Sequence, residues 1–575
     1  MTRRRILAAG GLAGLLVLAG CTSGPPPEAP PAPKPSATAT PTPTREELLR
    51  EYAPGLQAEV KDFSLADQAT GGPPLTVTLD GGADPVGQWH TTNTGLSFET
   101  SDLADERWEP GESSLSLLIG ELNEPALRFG GNSVDRRVWW TSTDEKAPDW
   151  AEVTVTPEDL KRFARFAEEV DATVTMVLPL GHFDPHRAAD MAEHAHAALG
   201  DRLMSVAYGN EPNGYHHPNQ PELELRGADW SPEDWVEQAE AYHRAVSAAV
   251  PDLQVMGPGA YDAAWWRAFG ESDLRNKRAL SQHWYPLWSC PDRTAPGGDE
   301  RFAPTVANMT SKHVHDKAAD TFTWGRETAD EYDLRLYMDE TGPTSCPGTN
   351  ETSRTLAQGL WSVDYVFNGA AHGALRVNMH STLDACDGGA PMSVICSRGE
   401  LDDPSEEVLG QSNYLGLLFA GQVRSGEFEP IEVDGDGQVF AYQVHSEEGT
   451  DVVIVNMQDP EKVKASALDL DGLPDGEVSA SLLSGEALDE RSTEMIPLSP
   501  ATQVPDRIPA GGALLIRIEP PATTPSPGQS SPGQSSPGQA SPGQSLGSSP
   551  SATGSASPSA SASASASASS SATGD

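Results

Sequence analysis

Between Gln88 and Gln422, short apolar runs alternate eight times with helical stretches or long connections. The runs fall at 95–98, 126–129, 173–180, 203–208, 253–257, 279–283, 334–339 and 374–379. Such a rhythm builds a parallel sheet, because a parallel neighbour is reached only through a crossover. Eight units over residues 88–424 predict a closed (β/α)8 TIM barrel, an α/β architecture. The structural alternative is an open doubly wound sheet, but no Gly-rich phosphate loop accompanies it. The helices are marked at their starts. Thr156-Pro157-Glu158 and Ser231-Pro232-Glu233 each set a capping hydroxyl before a proline at the first helical position. Leu160, Phe163, Ala167 and Val170 give the first of these an apolar face. Further helices are expected at 186–199, 306–319, 352–368 and 408–422.

Two of the runs end on acids. The fourth stops at Gly209-Asn210-Glu211-Pro212-Asn213, where Pro212 cannot continue a strand ladder. A strand this apolar is buried, and Glu is rarely buried without a task or a partner. The seventh closes on Asp339-Glu340. The C-terminal ends of barrel strands share one mouth, so Glu211 and Glu340 are expected to meet there. Two carboxyl groups facing one space are the minimum equipment for hydrolysing a glycosidic bond. Asp339 is the rival of Glu340, and strand alternation is expected to point it elsewhere. His194 and His196 lie two apart on a helix, share no face, and read as surface residues rather than metal ligands.

The flanks have other compositions. Arg3-Arg4-Arg5 followed by an apolar stretch at 6–19 reads as a targeting segment, too short to span a bilayer as a mature helix. It closes on Leu18-Ala19-Gly20-Cys21, which resembles a bacterial lipoprotein box. That resemblance implies a signal peptide at 1–20, a lipid on Cys21 and anchorage on the outer face of the membrane; the alternative is an ordinary secretory peptide. Residues 21–55 read as a Pro/Thr-rich linker, with a short helical start at 45–52. Residues 425–520 hold short strands between turns, at 433–444, 451–457, 478–483 and 513–518, the pattern of an antiparallel β-sandwich. The isolated alternating run Leu75-Thr76-Val77-Thr78-Leu79, within 56–87, has no near neighbour and is expected to join that sandwich. Residues 521–575 are a Ser/Pro/Gly/Ala tail with SPGQ recurring at five-residue steps, and read as disordered.

Four cysteines remain, Cys290, Cys346, Cys386 and Cys396. An even number in an exported chain suggests two disulfides. Three pairings are possible, and the short Gly-rich interval favours Cys386–Cys396, hence Cys290–Cys346. Their spacings are not those of a zinc site, and no cofactor motif is present. The chain has 84 Asp plus Glu against 38 Lys plus Arg. That balance argues against nucleic acid and highly anionic polymers as partners.

Taken together, several blocks resemble clan A retaining glycosidases, most closely glycoside hydrolase family 79, the heparanases and β-glucuronidases. They are LRFGGNSVDRRVWW (127–140), GNEPN (209–213), HWYPL (283–287), YMDETGPTSCPG (337–348), LAQGLWSVDYVFNGAAHGALRVNMH (356–380) and NYLGLLFAGQV (413–423). The resemblance spans roughly residues 88–520. It implies Glu211 as acid/base and Glu340 as nucleophile. It also implies Asn210 on the sugar 2-hydroxyl. Arg128 is placed to keep Glu340 ionised, Tyr285 and His283 to flank it, and Trp139 beside Trp140 to wall the sugar. Asn132 either touches substrate or, with Asp135, shapes the second loop. The loop after Glu340 holds no Lys or Arg before Arg354, so it offers no clamp for a uronate carboxylate. The expected activity is β-glucuronidase-like hydrolysis of an oligo- or polysaccharide. Its alternatives are a clan A enzyme on a neutral sugar, such as an arabinofuranosidase, or a lipid-anchored sugar-binding protein.

Overall fold

A computed structural model describes residues 43–79, 86–111, 113–218, 221–291, 299–389, 391–401, 403–435 and 437–521. The segment expected to be a signal peptide, Cys21 and the C-terminal tail lie outside the described residues. Eight parallel strands close a barrel: β1 Thr94–Glu99, β2 Ala126–Gly130, β3 Thr173–Leu178, β4 Leu203–Tyr208, β5 Val255–Ala260, β6 Lys277–Trp284, β7 Arg335–Thr341 and β8 Ala374–Ser381. They follow one another in chain order, and β8 closes on β1 with Val377 beside Thr94. The register between β6 and β7 slips after Gln282, so that His283 pairs with Glu340 and Asp339 is an extra residue.

Helices cover the barrel where the sequence gives them apolar faces. Pro157–Glu169 is capped by Thr156 and buries Leu160, Phe163, Phe166 and Ala167. Its rings join Phe98, Trp108 and Phe129 in one aromatic cluster, with Phe129 and Phe163 centred 4.6 Å apart. Leu356–Ala371 is buried nearly all round, as a helix apolar on every face must be. Among the described residues no helix is long and apolar enough to cross a membrane.

The β-domain explains that burial. A seven-stranded antiparallel sheet runs in the spatial order Gly87–Trp89, Gly426–Ile431, Val439–Ser446, Gly449–Asn456, Gly512–Glu519, Glu477–Ser484, Glu494–Ala501. Its strands alternate at period two between two cores. Val439, Ala441, Val452 and Ile454 face a smaller four-stranded sheet. Phe440, Tyr442, Val453 and Val455 belong to the barrel's own core. There Phe367, Phe428 and Tyr442 stack, and Trp89 sits 4.4 Å from Phe367. Leu75–Thr78 is a member of the small sheet, antiparallel to Val433–Asp434 but parallel to Ala465–Asp471, so this layer is mixed.

Several expectations need correction. The helix expected at 408–422 starts later, as Ser412–Gly421, because residues 408–410 end a strand, Asp403–Gly410, hairpinned with Ile395–Glu400. The helix expected at 306–319 breaks at Thr310-Ser311, where Ser311 caps a second helix, Lys312–Glu331. The strand expected at 433–444 is interrupted around Gly435, whose φ of 144° breaks it into Val433–Asp434 and Val439–Ser446. The linker expected at 21–55 ends earlier. Arg45–Tyr52 is a helix capped by Thr44, and Arg45 meets Glu121 at 2.6 Å, with Leu49 and Tyr52 packed on the core.

Candidate active site

Glu211 lies three residues beyond the end of β4 and Glu340 near the end of β7, as the barrel geometry requires. One carboxylate oxygen from each, together with a ring nitrogen of His283, lie within 4.8 Å of one another. The two acids differ in environment. Glu340 is 7% exposed and saturated with donors: Arg128 reaches Oε2 at 2.7 Å and the Tyr285 hydroxyl donates to Oε1 at 3.0 Å. Glu211 is 19% exposed, and its side chain meets the ring of His283, Nδ1 to Oε1 at 3.2 Å. Burial pushes its pKa up, against the pull of Arg128, Arg136 and His380. Burial also holds His283 down to about 4, so its imidazole is neutral at ordinary pH.

The backbone of Glu211 is itself unusual. Its φ is 47°, in the left-handed region, which costs a non-glycine residue about 1–3 kcal/mol. Two backbone bonds hold it there: its N–H donates to the Gly259 carbonyl at 2.9 Å, and Gly214 N–H donates to its carbonyl at 2.8 Å.

Arg128 organises the centre. It is 1% exposed, and it bonds Ser97 Oγ and Asn210 Oδ1, each at 2.8 Å, besides Glu340. Its Nε lies 2.8 Å from Asp339. Asp339 therefore does not point elsewhere, as alternation along a regular strand had led us to expect. The bulge in β7 lets both acids face inward, and Asp339 is fixed by Arg128, Ser281 and Asn378. Asn210 accepts from Arg128 and from Gly131 N–H, while its Nδ2 is buried with no partner among the described residues. The paired glycines have a steric reason. A Cβ on Gly130 would stand 2.6 Å from the Arg128 guanidinium, and one on Gly131, with φ of 68°, 2.4 Å from the Glu99 carboxylate.

Asn132 sits at the exposed rim. Its N–H donates to Glu99 at 3.2 Å and its side chain accepts from Arg136 at 2.9 Å. Trp139 joins neither carboxylate by any contact among the described residues. It packs edge-on to Trp150, with the Arg187 guanidinium 3.6 Å above its ring, in a side cleft of about 430 Å3. The disulfides are Cys290–Cys346 and Cys386–Cys396. The first ties the loop after β6 to the loop after β7, close behind Tyr285 and Glu340.

Three residues of the site were not singled out from sequence as members. Glu99 ends β1, much as Glu211 follows β4, and accepts from the Asn132 and Ser133 amides. Burial opposes its charge, but His380 and Ser133 outweigh that and hold it at about 2. His380, near the end of β8, is raised in turn, since Glu99 and Glu340 overcome its burial. Asp135 is the buried anchor of the loops. It accepts from Leu180 and Gly181 N–H at 2.7 Å, from Asn210 N–H at 2.8 Å and from the Tyr215 hydroxyl at 2.7 Å. The strand-end acid pattern was the signal for Glu99; Asp135 was expected only to shape the second loop, and its hydrogen bonds to the Leu180, Gly181 and Asn210 amides give it that role.

By distance alone, Glu211, His283 and Glu340 would also suit a divalent cation. Both oxygens of Glu340 already face donors, and a guanidinium 2.7 Å away repels a second cation. The donors around Glu340 fit a hydrogen-bonded carboxyl pair better than a metal site.

No family model and no curated protein sequence matches the chain. Solved structures do. A 4-O-α-L-rhamnosyl-β-D-glucuronidase from Fusarium oxysporum 12S superposes with a TM-score of 0.59 at 18% identity, over 77% of this chain and 100% of its own. A family 51 α-L-arabinofuranosidase from Bifidobacterium longum gives 0.55 at 16%, over 78% and 100%. A monomeric β-xylosidase from Caulobacter crescentus CB15 gives 0.50 at 13%, over 78% and 99%. The chain thus has the fold of these enzymes, a closed parallel barrel with an added β-domain.

Proposed function

We propose that the chain is a retaining glycoside hydrolase. The observation that carries this is the Glu211–Glu340 pair, with oxygens within 4.8 Å and opposite surroundings. Retaining enzymes hold their carboxyl groups roughly 5–5.5 Å apart, too close for a water between them. Glu340 attacks the anomeric carbon as a carboxylate while Glu211, protonated, gives its proton to the leaving oxygen. A covalent glycosyl–Glu340 ester forms and the aglycone departs as an alcohol. Glu211, now a carboxylate, takes a proton from water, which attacks the same carbon and releases Glu340. His283 orients Glu211 through Nδ1, and the unpartnered Asn210 Nδ2 is free to donate to a sugar hydroxyl.

For the substrate we infer a uronic-acid-bearing glycan. Arg128, Arg136 and His380 put positive charge about Glu211 in a chain that is otherwise acidic. One observation favours a second reading, a neutral sugar: Arg354, the first cation after Glu340, is already taken by Asp387 at 2.5 Å. Hydrolysis of p-nitrophenyl β-D-glucuronide against the α-L-arabinofuranoside and β-D-xyloside separates the two. Turnover of none of them, with glycan binding intact, would favour a sugar-binding protein instead. We further propose export and anchorage through a lipid on Cys21. Cys21→Ser should move the protein from the membrane fraction to the medium; unchanged partition would rule the anchor out.

A further inference from the structure

In a chain with 84 acidic residues and 38 basic ones, a cluster of arginines with no carboxylate at ion-pair distance stands out. Three such arginines meet at the end of the barrel opposite the acids. Arg278 lies at the start of β6, Arg335 opens β7, and Arg376 is the third residue of β8. Strand register brings them together: Arg335 pairs with Ala279, and Arg376 with Tyr337. Arg278 and Arg335 stand near enough to the Tyr337 phenol to act on its pKa, and the Arg376 guanidinium carbon lies 5.2 Å from its ring centre.

None of the three has a carboxylate at ion-pair distance among the described residues. The acid that Arg376 feels is Asp339, which Arg128, Ser281 and Asn378 already hold. The Nε atoms of Arg278 and Arg376 are buried without partners. Burial and the two neighbouring guanidinia pull the Arg376 pKa down, and the three cations pull the Tyr337 phenol down despite its burial. One phenol offsets at most one of three charges. A planar guanidinium presents a fork of donors that matches an oxyanion edge, and three forks around one point match a tetrahedral anion.

We propose that Arg278, Arg335 and Arg376 form a binding site for a tetrahedral oxyanion, a phosphate or sulfate group, at the N-terminal end of the barrel. Glu340 lies five residue steps along β7 from Arg335, about 16 Å of strand, so the occupant is not the group being cleaved. The anion comes either free from solution or as the phosphodiester of a lipid headgroup, and the two sources have different probes.

The test is thermal unfolding and calorimetric titration of the full chain with inorganic phosphate and with glycerophosphoglycerol, a soluble headgroup diester. Sodium chloride at matched ionic strength is the control. Saturable stabilisation by phosphate alone assigns a free oxyanion; competition by the diester assigns a headgroup. Arg376→Met and Arg335→Gln should each weaken binding about tenfold or more. Arg335 is exposed, so Arg335→Gln should fold and keep its glycosidase activity even where Arg376→Met does not fold. No stabilisation beyond chloride by either probe, or equal stabilisation of wild type and Arg335→Gln, would overturn the site.

Discussion

Glu211 and Glu340 are chemically alike and are made unlike by what touches them. Glu211→Gln should lower kcat about 10²–10⁴-fold, the usual worth of a general acid, and less on substrates with good leaving groups. Because its pKa is raised, activity should fall on the alkaline side at a pH above the ordinary Glu value of 4.5. The positive charge of Arg136 lowers that pKa, so Arg136→Met should move this limb to higher pH in a kcat/KM profile. A limb that stays, or moves down, would contradict the coupling. Glu99 carries a stability prediction. Its pKa is depressed from 4.5 to about 2, so its contribution is present above pH 4.5 and is lost as pH falls through 2. That shift corresponds to about 3 kcal/mol, and Glu99→Gln should remove it at pH 7 but not at pH 2, measured by denaturant unfolding. Glu211 and Glu340 were legible because each closes an apolar strand. Glu99 closes one too, but nothing in the sequence tells that its partner is His380, nearly 300 residues on. Trp139 was misread because an indole in sequence does not say which face an arginine will cover.

At the scale of elements, the bulge in β7 decides which acids reach the centre. Alternation predicts side-chain direction only while the ladder is regular, and the slip after Gln282 lets Asp339 and Glu340 both meet Arg128. Removing Asp339 should therefore be felt as a broken buried ion pair. Asp339→Ala is expected to cost roughly 3–5 kcal/mol of stability, whereas a surface acid such as Glu158 should cost within about 0.5. The disulfides differ in the same way. Cys290–Cys346 closes 56 residues and Cys386–Cys396 closes 10. Loop-closure entropy gives roughly 4 and 3 kcal/mol, so paired Cys→Ser replacement should destabilise more at the first. It should also raise KM, since that bridge ties the loops behind Tyr285 and Glu340. The strand rhythm made all eight barrel strands readable to within a few residues. The helix expected at 408–422 was placed too early by a few residues, because tertiary pairing of 408–410 with Ile395–Glu400 overrode local pattern.

At the scale of the whole molecule, the largest core cluster among the described residues continues from the barrel into one face of the β-domain. Trp89, Phe367, Phe428 and Tyr442 belong to the same cluster as the barrel's Phe129 and Phe163. The barrel and β-domain should then unfold in one calorimetric transition. Tyr442→Ala, costing about 3–5 kcal/mol, should lower that single transition rather than split off a second. The sandwich was legible as a strand pattern, but not its attachment: period-two alternation marks both faces of a sheet as apolar without saying that one of them covers the buried helix Leu356–Ala371. The central claim is double displacement through Glu340 with Glu211 as acid/base. Its most direct test is Glu211→Ala with an activated aryl glycoside and sodium azide. The product predicted is a glycosyl azide with the substrate's own anomeric configuration, absent from Glu340→Ala. An azide of inverted configuration from Glu211→Ala, or wild-type turnover by Glu340→Ala, would contradict it.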